Sequence, residues 1–239
     1  LILIMLNPAF IFNSSIFGQF DGLFSLTLLL SVFFLPRNKI VFSSTFWGLS
    51  FLLKPQAILL LPVFPFYILQ NFSIKNILKI ILPATLLIYF SFLPFFASNI
   101  FSGSANLVTG LMGYYPYNSV FAYNFWGIFG FWISDKITLY NITYQNWGYI
   151  LFIIFWITTG YFYYKKNLSI FALCTLAALS LFFLPTRMHE RYLYPSLVFL
   201  ILLSIFLKSR YLVIGAMLLS LIHFLNLYYV YFYYNEFYL

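Results

Sequence analysis

Residues 77–96 read ILKIILPATLLIYFSFLPFF, and Lys79 is the one charged side chain among them. A helix needs about 20 apolar residues to cross a hydrocarbon core of about 30 Å. In lipid such a stretch can face its solvent, provided its backbone polar groups pair within the segment, and a helix does this. The pattern recurs on both sides. Further apolar runs bounded by polar clusters lie at 1–11, 22–36, 40–53, 56–70, 147–164, 168–185, 193–207 and 211–231. Of the 239 residues, 64% are hydrophobic and 7% charged, with a mean hydropathy of +0.96; soluble domains use roughly half apolar and a quarter charged residues. The sequence therefore predicts an all-α, polytopic transmembrane helix bundle of about eight full spans plus one partial span. Residues 1–239 form a single transmembrane domain on this reading, with no room for a soluble one. The short run before Asn7-Pro8 is the partial span, expected to continue one that begins upstream of Leu1.

The scatter of Lys and Arg orients these spans, because cytoplasmic loops collect positive charge. Alternating the spans puts Arg37, Lys39, Lys75, Lys79, Lys165, Lys166, Lys208 and Arg210 on one side and Lys54, Lys136, Arg187 and Arg191 on the other. The first side is then cytoplasmic. All four acidic residues, Asp21, Asp135, Glu190 and Glu236, fall on the outer side. The long outer segment 97–146 contains a mostly apolar stretch at 119–134, which would invert everything after it if it crossed. That inversion weakens the charge asymmetry, so the segment is expected to be interfacial or re-entrant. Its Tyr114, Tyr115, Tyr117, Tyr123, Trp126 and Trp132 suit the headgroup region. The location expected is a multi-pass protein of the cell membrane with its active face extracytoplasmic.

The net charge of +8 does not indicate nucleic acid, since the basic residues occur singly or in pairs and form no stripe. Cys174 is the lone cysteine, so there is no disulfide framework. His223 has no second His, Cys or carboxylate at a metal-ligand spacing and is expected to be a packed helix residue. No cofactor is called for. Glycine-rich nucleotide loops and serine-hydrolase elbows are missing from the sequence.

Three outer-face segments hold most of the polar chemistry: Asn13 to Asp21, with Gln19 and Asp21; Lys54-Pro55-Gln56; and Thr186-Arg187-Met188-His189-Glu190-Arg191-Tyr192. The last places two Arg, one Glu and one His within five residues of a chain that hardly uses charge. Guanidinium groups present a planar fork that grips phosphate oxygens and keep their charge at neutral pH. A bland reading is a connecting loop whose arginines snorkel and whose Glu190 neutralises them. Asp21, at the start of a helix, is equally an N-terminal cap. Lys54, on the side where positive charge is disfavoured, is either an anion partner or a snorkelling helix-end residue.

Asn7-Pro8, Phe17-Gly18-Gln19-Phe20-Asp21, Lys54-Pro55-Gln56, Ser119 to Trp126 and Arg187-Met188-His189-Glu190-Arg191-Tyr192, in that order, resemble the polytopic glycosyltransferases of the GT-C superfamily. The likeness is to bacterial mannosyltransferase-like proteins related to the glycosylphosphatidylinositol mannosyltransferases. One departure is Phe17, where many relatives carry Trp. The resemblance implies a hexosyltransferase-type enzyme that moves a sugar, with inversion, from a polyprenyl-phosphate carrier to a lipid or glycan acceptor. It also implies a catalytic carboxylate in an outer loop upstream of Leu1.

The chemistry of the residues fits that expectation. Arg187, Arg191 and Lys54 could meet the phosphate as the leaving group gains charge. The outer segment offers amides and rings to the sugar in Tyr114, Tyr115, Tyr117, Asn118, Tyr123, Asn124 and Trp126, and Gln19, Gln56, His189 and Tyr192 are further candidate substrate-binding residues. Asp21 and Glu190 are the candidate general bases. The partners expected are a polyprenyl-phosphate-linked sugar donor, the acceptor and membrane lipid. The rivals are an O-antigen polymerase or ligase, a transporter or lipid flippase, and a purely structural membrane subunit. The transporter usually carries ionisable groups at the bilayer midplane, whereas the charges here sit at the ends of the apolar runs.

Overall fold

The computed structural model describes residues 2–70, 72–166 and 168–238, except for the side chains at 2, 3, 112, 166 and 234–238. Asn71 and Asn167, in two joints assigned to the cytoplasmic side, therefore lie outside the described residues, as do the side chains of Lys166 and Glu236. The chain is mostly helical, as an all-α fold requires. It divides into two compact units, one made of Leu1–Leu23 with Pro116–Leu239 and the other of Phe24–Tyr115.

In chain order the helices are α1 (Ile2–Met5), α2 (Pro8–Ile11), α3 (Asp21–Phe34), α4 (Ile40–Leu53), α5 (Val63–Gln70), α6 (Ile74–Phe96), α7 (Ile100–Gly113), α8 (Tyr144–Lys166), α9 (Ile170–Phe183), α10 (Tyr194–Phe206) and α11 (Arg210–Tyr238). Short strands are β1 (Ser119–Val120), β2 (Thr138–Leu139), β3 (Ile142–Thr143) and β4 (Met188–His189). Most helices fall within the apolar runs expected of them. Two runs are broken, each at proline. Run 1–11 splits at Asn7-Pro8, where Asn7 Oδ1 accepts from Ala9 N at 3.0 Å and restarts the helix with Pro8 in its first turn. Run 56–70 becomes a 3₁₀ turn over Pro55–Leu60 followed by α5, because Pro62 has no N–H to continue a helix.

Span length is where expectation and structure part. Among the described residues, Ile74–Phe96 and Arg210–Tyr233 are long and apolar enough to cross a membrane. A helix of 14 residues such as α4 is about 21 Å long, less than the roughly 30 Å of a hydrocarbon core. Eight full spans are therefore not reached by helix length. The segment 97–146 is also not one piece: it opens with the 14-residue α7 in the second unit and continues from Pro116 as short strands and a 3₁₀ turn in the first.

Within Phe24–Tyr115, small and hydroxylated residues let helices approach. The Ser44 hydroxyl donates to the Ile80 carbonyl and accepts from Ala84 N, at 3.1 Å, thereby entering the hydrogen-bond ladder of α6 beside Pro83. One turn on, a Cβ at Gly48 would stand 3.1 Å from Ala84 Cα. Ser50 donates to Thr27 Oγ1 at 2.7 Å, joining α4 to α3. Membrane helices associate through this kind of small-residue contact, since lipid supplies no hydrophobic drive between them.

In the other unit, Ala9, Phe10, Tyr194, Leu197, Ile201 and Ala216 form a core between α2, α10 and α11. Ser220 on α11 donates to Asn7 Oδ1 at 2.7 Å. Further along α11, Asn226 accepts from Tyr123 N at 3.1 Å and donates to the Phe121 carbonyl at 2.7 Å. β1 runs parallel to β4, with Ser119 opposite Met188 and Val120 opposite His189. These contacts fix the loop after Pro116 against the loop between α9 and α10, which carries the candidate chemistry.

Candidate functional site

The site is built where α3 begins and where α9 hands over to α10. Residues Phe12–Ile16 form a π-helical turn, and Gly18 takes a φ of +69°, a conformation that side chains with a Cβ resist. The chain then enters α3 at Asp21, which is fully buried. Asn13, also fully buried, donates from Nδ2 to Asp21 Oδ2 at 3.1 Å. The next residue, Gly22, leaves room for Tyr194: a Cβ there would lie 3.3 Å from the Tyr194 hydroxyl and 3.9 Å from Ser14 Oγ.

Glu190 opens a 3₁₀ turn over Glu190–Leu193 and is 2% exposed. Arg191 donates from Nη1 to Glu190 Oε1 at 3.0 Å, and His189 Nδ1 lies 3.9 Å from Glu190 Oε2. Burial raises the Glu190 pKa; the Arg191 cation works against that rise, and the charge of Asp21 adds to it. Gly22, next to Asp21, packs against the hydroxyl of Tyr194, four residues after Glu190, so the two carboxylates share one region although 169 positions separate them in the sequence. The His189 ring lies 5.1 Å from that of Tyr192, and the Arg191 guanidinium is 5.7 Å from the same ring.

Arg187 has a partner outside its own loop. Its Nε donates to Asp135 Oδ2 at 2.6 Å, and Thr186 Oγ1 reaches the same oxygen at 3.4 Å. Its backbone N–H bonds the Tyr117 carbonyl, and its φ is +66°. Arg187 therefore pins its loop to the segment after Pro116. Asn124 and Trp126 are likewise engaged by backbone. Asn124 caps a 3₁₀ turn by accepting from Gly127 N at 3.0 Å and donates to the Phe182 carbonyl. Trp126, 2% exposed, donates to the Leu184 carbonyl at 2.6 Å. Both hold the loop to the end of α9, and neither presents its polar group to a sugar.

Gln19 is half-buried, with its N–H bonded to the Asn13 carbonyl at 3.0 Å. Lys54 and Gln56 belong to the Phe24–Tyr115 unit. There Lys54 ends α4 by donating its N–H to the Ser50 carbonyl at 2.9 Å, and Gln56 lies in the following 3₁₀ turn. Groups of three or more His, Cys, Asp or Glu able to hold a metal are absent among the described residues.

The structure thus brings together Asp21, Glu190, Arg191, His189 and Tyr192, and adds Asn13 and Tyr194 to them. Asn13 lay in a segment already singled out, and its polar side chain beside an apolar run was the signal. Tyr194 offered none, because a tyrosine at the head of an apolar helix is ordinary. The cluster contains two buried carboxylates and one guanidinium. Arg191 uses Nη1 on Glu190, and a guanidinium has five N–H donors, so others can meet an anion. A carboxylate whose pKa is raised by burial is a stronger base than one in water. Compared with protein-family models, curated proteins and solved structures, the chain matches none.

Proposed function

We propose that this protein is a multi-pass membrane glycosyltransferase that moves a sugar from a polyprenyl-phosphate carrier to an acceptor hydroxyl on the extracytoplasmic face, in the manner of the GT-C mannosyltransferases it resembles. The observation that carries the proposal is the buried cluster of Asp21, Glu190 and Arg191. Transfer with inversion asks for a base to take the acceptor proton and for positive charge on the departing phosphate. Glu190, or Asp21 beside it, is the base, and Arg191 meets the phosphate. Arg187 has its Nε engaged by Asp135 and is the second candidate for that role.

The membrane reading has its own support. Ile74–Phe96 has a mean hydropathy of 1.9, yet 6% of its most apolar window is buried. The core helix of a soluble protein is apolar and buried; a helix that is apolar and open matches lipid as its solvent. Crossing by the shorter helices together with their flanking turns, up to about eight spans, is part of the same proposal.

The test is transfer of labelled mannose from polyprenyl-phosphate-mannose in membranes containing the protein expressed from its complete reading frame. Glu190→Gln and Asp21→Asn, matched for protein level, should abolish or strongly reduce transfer. Unchanged transfer in both variants would remove the carboxylate pair from the chemistry.

A further inference from the structure

Away from the carboxylates, Phe155, Thr158, Thr159 and Phe162 of α8 face Leu168 and Leu176 across a cavity of about 310 Å³. The α8 residues recur at the three- and four-residue spacing of one helix face. The Thr158 hydroxyl donates to the Ile154 carbonyl of its own helix at 2.9 Å and is satisfied there. The lining is apolar, and a polar ligand would gain little there. Beside it Ile154, Ile157 and Tyr161 are exposed, so the cavity adjoins an apolar outer wall.

A cation follows on the same helix, one turn beyond the lining residue Phe162. Lys165 falls between the lining residues Phe162 and Leu168 in the chain, and its Nζ donates to Tyr161 Oη at 3.0 Å. The ammonium also lies 5.3 Å from the centre of the Tyr161 ring. Lys166 follows directly, and Lys208 and Arg210 lie on the same expected side. A bare hydrocarbon would not use the lysine, and a free phosphate would not use the cavity. One ligand uses both: a lipid with an aliphatic chain and an anionic head.

We infer that the α8–α9 groove binds one acyl chain of an anionic phospholipid of the cytoplasmic leaflet, with the headgroup phosphate on Lys165. The inference rests on the membrane reading above and not on the sugar chemistry. A juxtamembrane lysine favours an anionic lipid by roughly fivefold in retention.

The experiment is native mass spectrometry of the detergent-purified protein with equal amounts of dioleoylphosphatidylglycerol and dioleoylphosphatidylcholine. Phosphatidylglycerol should be retained roughly fivefold over phosphatidylcholine. Lys165→Ala should erase that preference, Lys165→Arg should keep it, and Leu176→Trp, which fills the cavity, should lower retention of both lipids. Lys165 is exposed, so its variants decide the matter even if Leu176→Trp fails to fold. Equal retention of the two lipids, or an undiminished preference in Lys165→Ala, overturns the site. An alkaline carbonate wash of membranes separates the two failures. Release of the protein overturns the membrane reading and this site with it, whereas retention without lipid preference overturns the site alone.

Discussion

Arg187 donates from Nε to Asp135 Oδ2 at 2.6 Å, and Asp135 is fully buried. The two residues lie 52 positions apart, and their bond ties the α9–α10 loop to the segment that follows Pro116. Removing one partner of a buried pair leaves the other charge uncompensated, at a cost of about 3–5 kcal/mol; the partial exposure of Arg187, the charge left behind in Asp135→Ala, puts that variant toward the lower end, whereas Arg187→Ala strands the fully buried Asp135. Arg187→Ala and Asp135→Ala should each lower the unfolding temperature in detergent, and the double variant should lose less than the sum. Additive losses would show that the two side chains do not couple.

Arg191 is expected to behave differently. Arg191→Lys keeps a charge but loses the planar fork, so transfer should fall, and Arg191→Ala should be worse. The loss of a charge-assisted contact is on the order of 1.5–3 kcal/mol, or roughly ten- to a hundredfold in turnover. Membrane insertion should be unchanged. Near-normal transfer by both variants at equal protein level would leave Arg191 as a helix-end residue.

Glu190 makes two pH predictions of opposite sign. Burial raises its pKa above the ordinary value of 4.5, so as a base it should become active only as pH climbs through the raised value. Glu190→Gln should cost about 10²- to 10⁴-fold and remove that limb of the pH–rate profile. For stability the order reverses. The native state holds this proton more tightly than the unfolded chain, so the stabilisation is full below the ordinary pKa and is lost as pH rises through the raised one. Unfolding temperatures measured across that window should fall with rising pH in the parent and stay flatter in Glu190→Gln. The Arg191 cation lowers the Glu190 pKa, so in Arg191→Ala the activity limb should move to higher pH.

The contact of α4 with α6 depends on small side chains. A Cβ at Gly48 would lie 3.1 Å from Ala84 Cα and 3.3 Å from Leu87 Cδ2. Gly48→Leu should therefore force the helices apart, costing about 1–3 kcal/mol, while Gly48→Ala costs less. Ser44→Ala should remove the hydroxyl that bridges the Ile80 carbonyl and Ala84 N, for about 0.5–1.5 kcal/mol per bond lost. Thermal unfolding of the three variants checks the order. Equal stability of Gly48→Leu and the parent would mean that the close approach is not needed.

The topology proposal is open to labelling. Single cysteines at Asn38 and Ser102 should react from opposite sides of intact cells, with Cys174 buried and silent. Reaction of both from the same side would end the alternating arrangement.

What the sequence determined by itself is the placement of the helices and the polar segments between them. Apolar runs and their interruptions are local features, so α6, α9 and α10 fall where runs 77–96, 168–185 and 193–207 lie. Asn7-Pro8 breaks its run because proline lacks an N–H and an asparagine side chain can replace it as a helix start. Tertiary structure alone decided that Arg187 meets Asp135. Arg187 and Arg191 are four positions apart and alike in type, yet one is held by Asp135 and the other by its neighbour Glu190. Pairing depends on how the segment after Pro116 lies against β4, and that long-range register leaves no periodic trace in either stretch. For the same reason Asn124 and Trp126 could be read as sugar ligands from composition. Only packing against the carbonyls of Phe182 and Leu184 gives them their structural work, because a hydrogen-bonding side chain serves whichever partner the fold brings within reach.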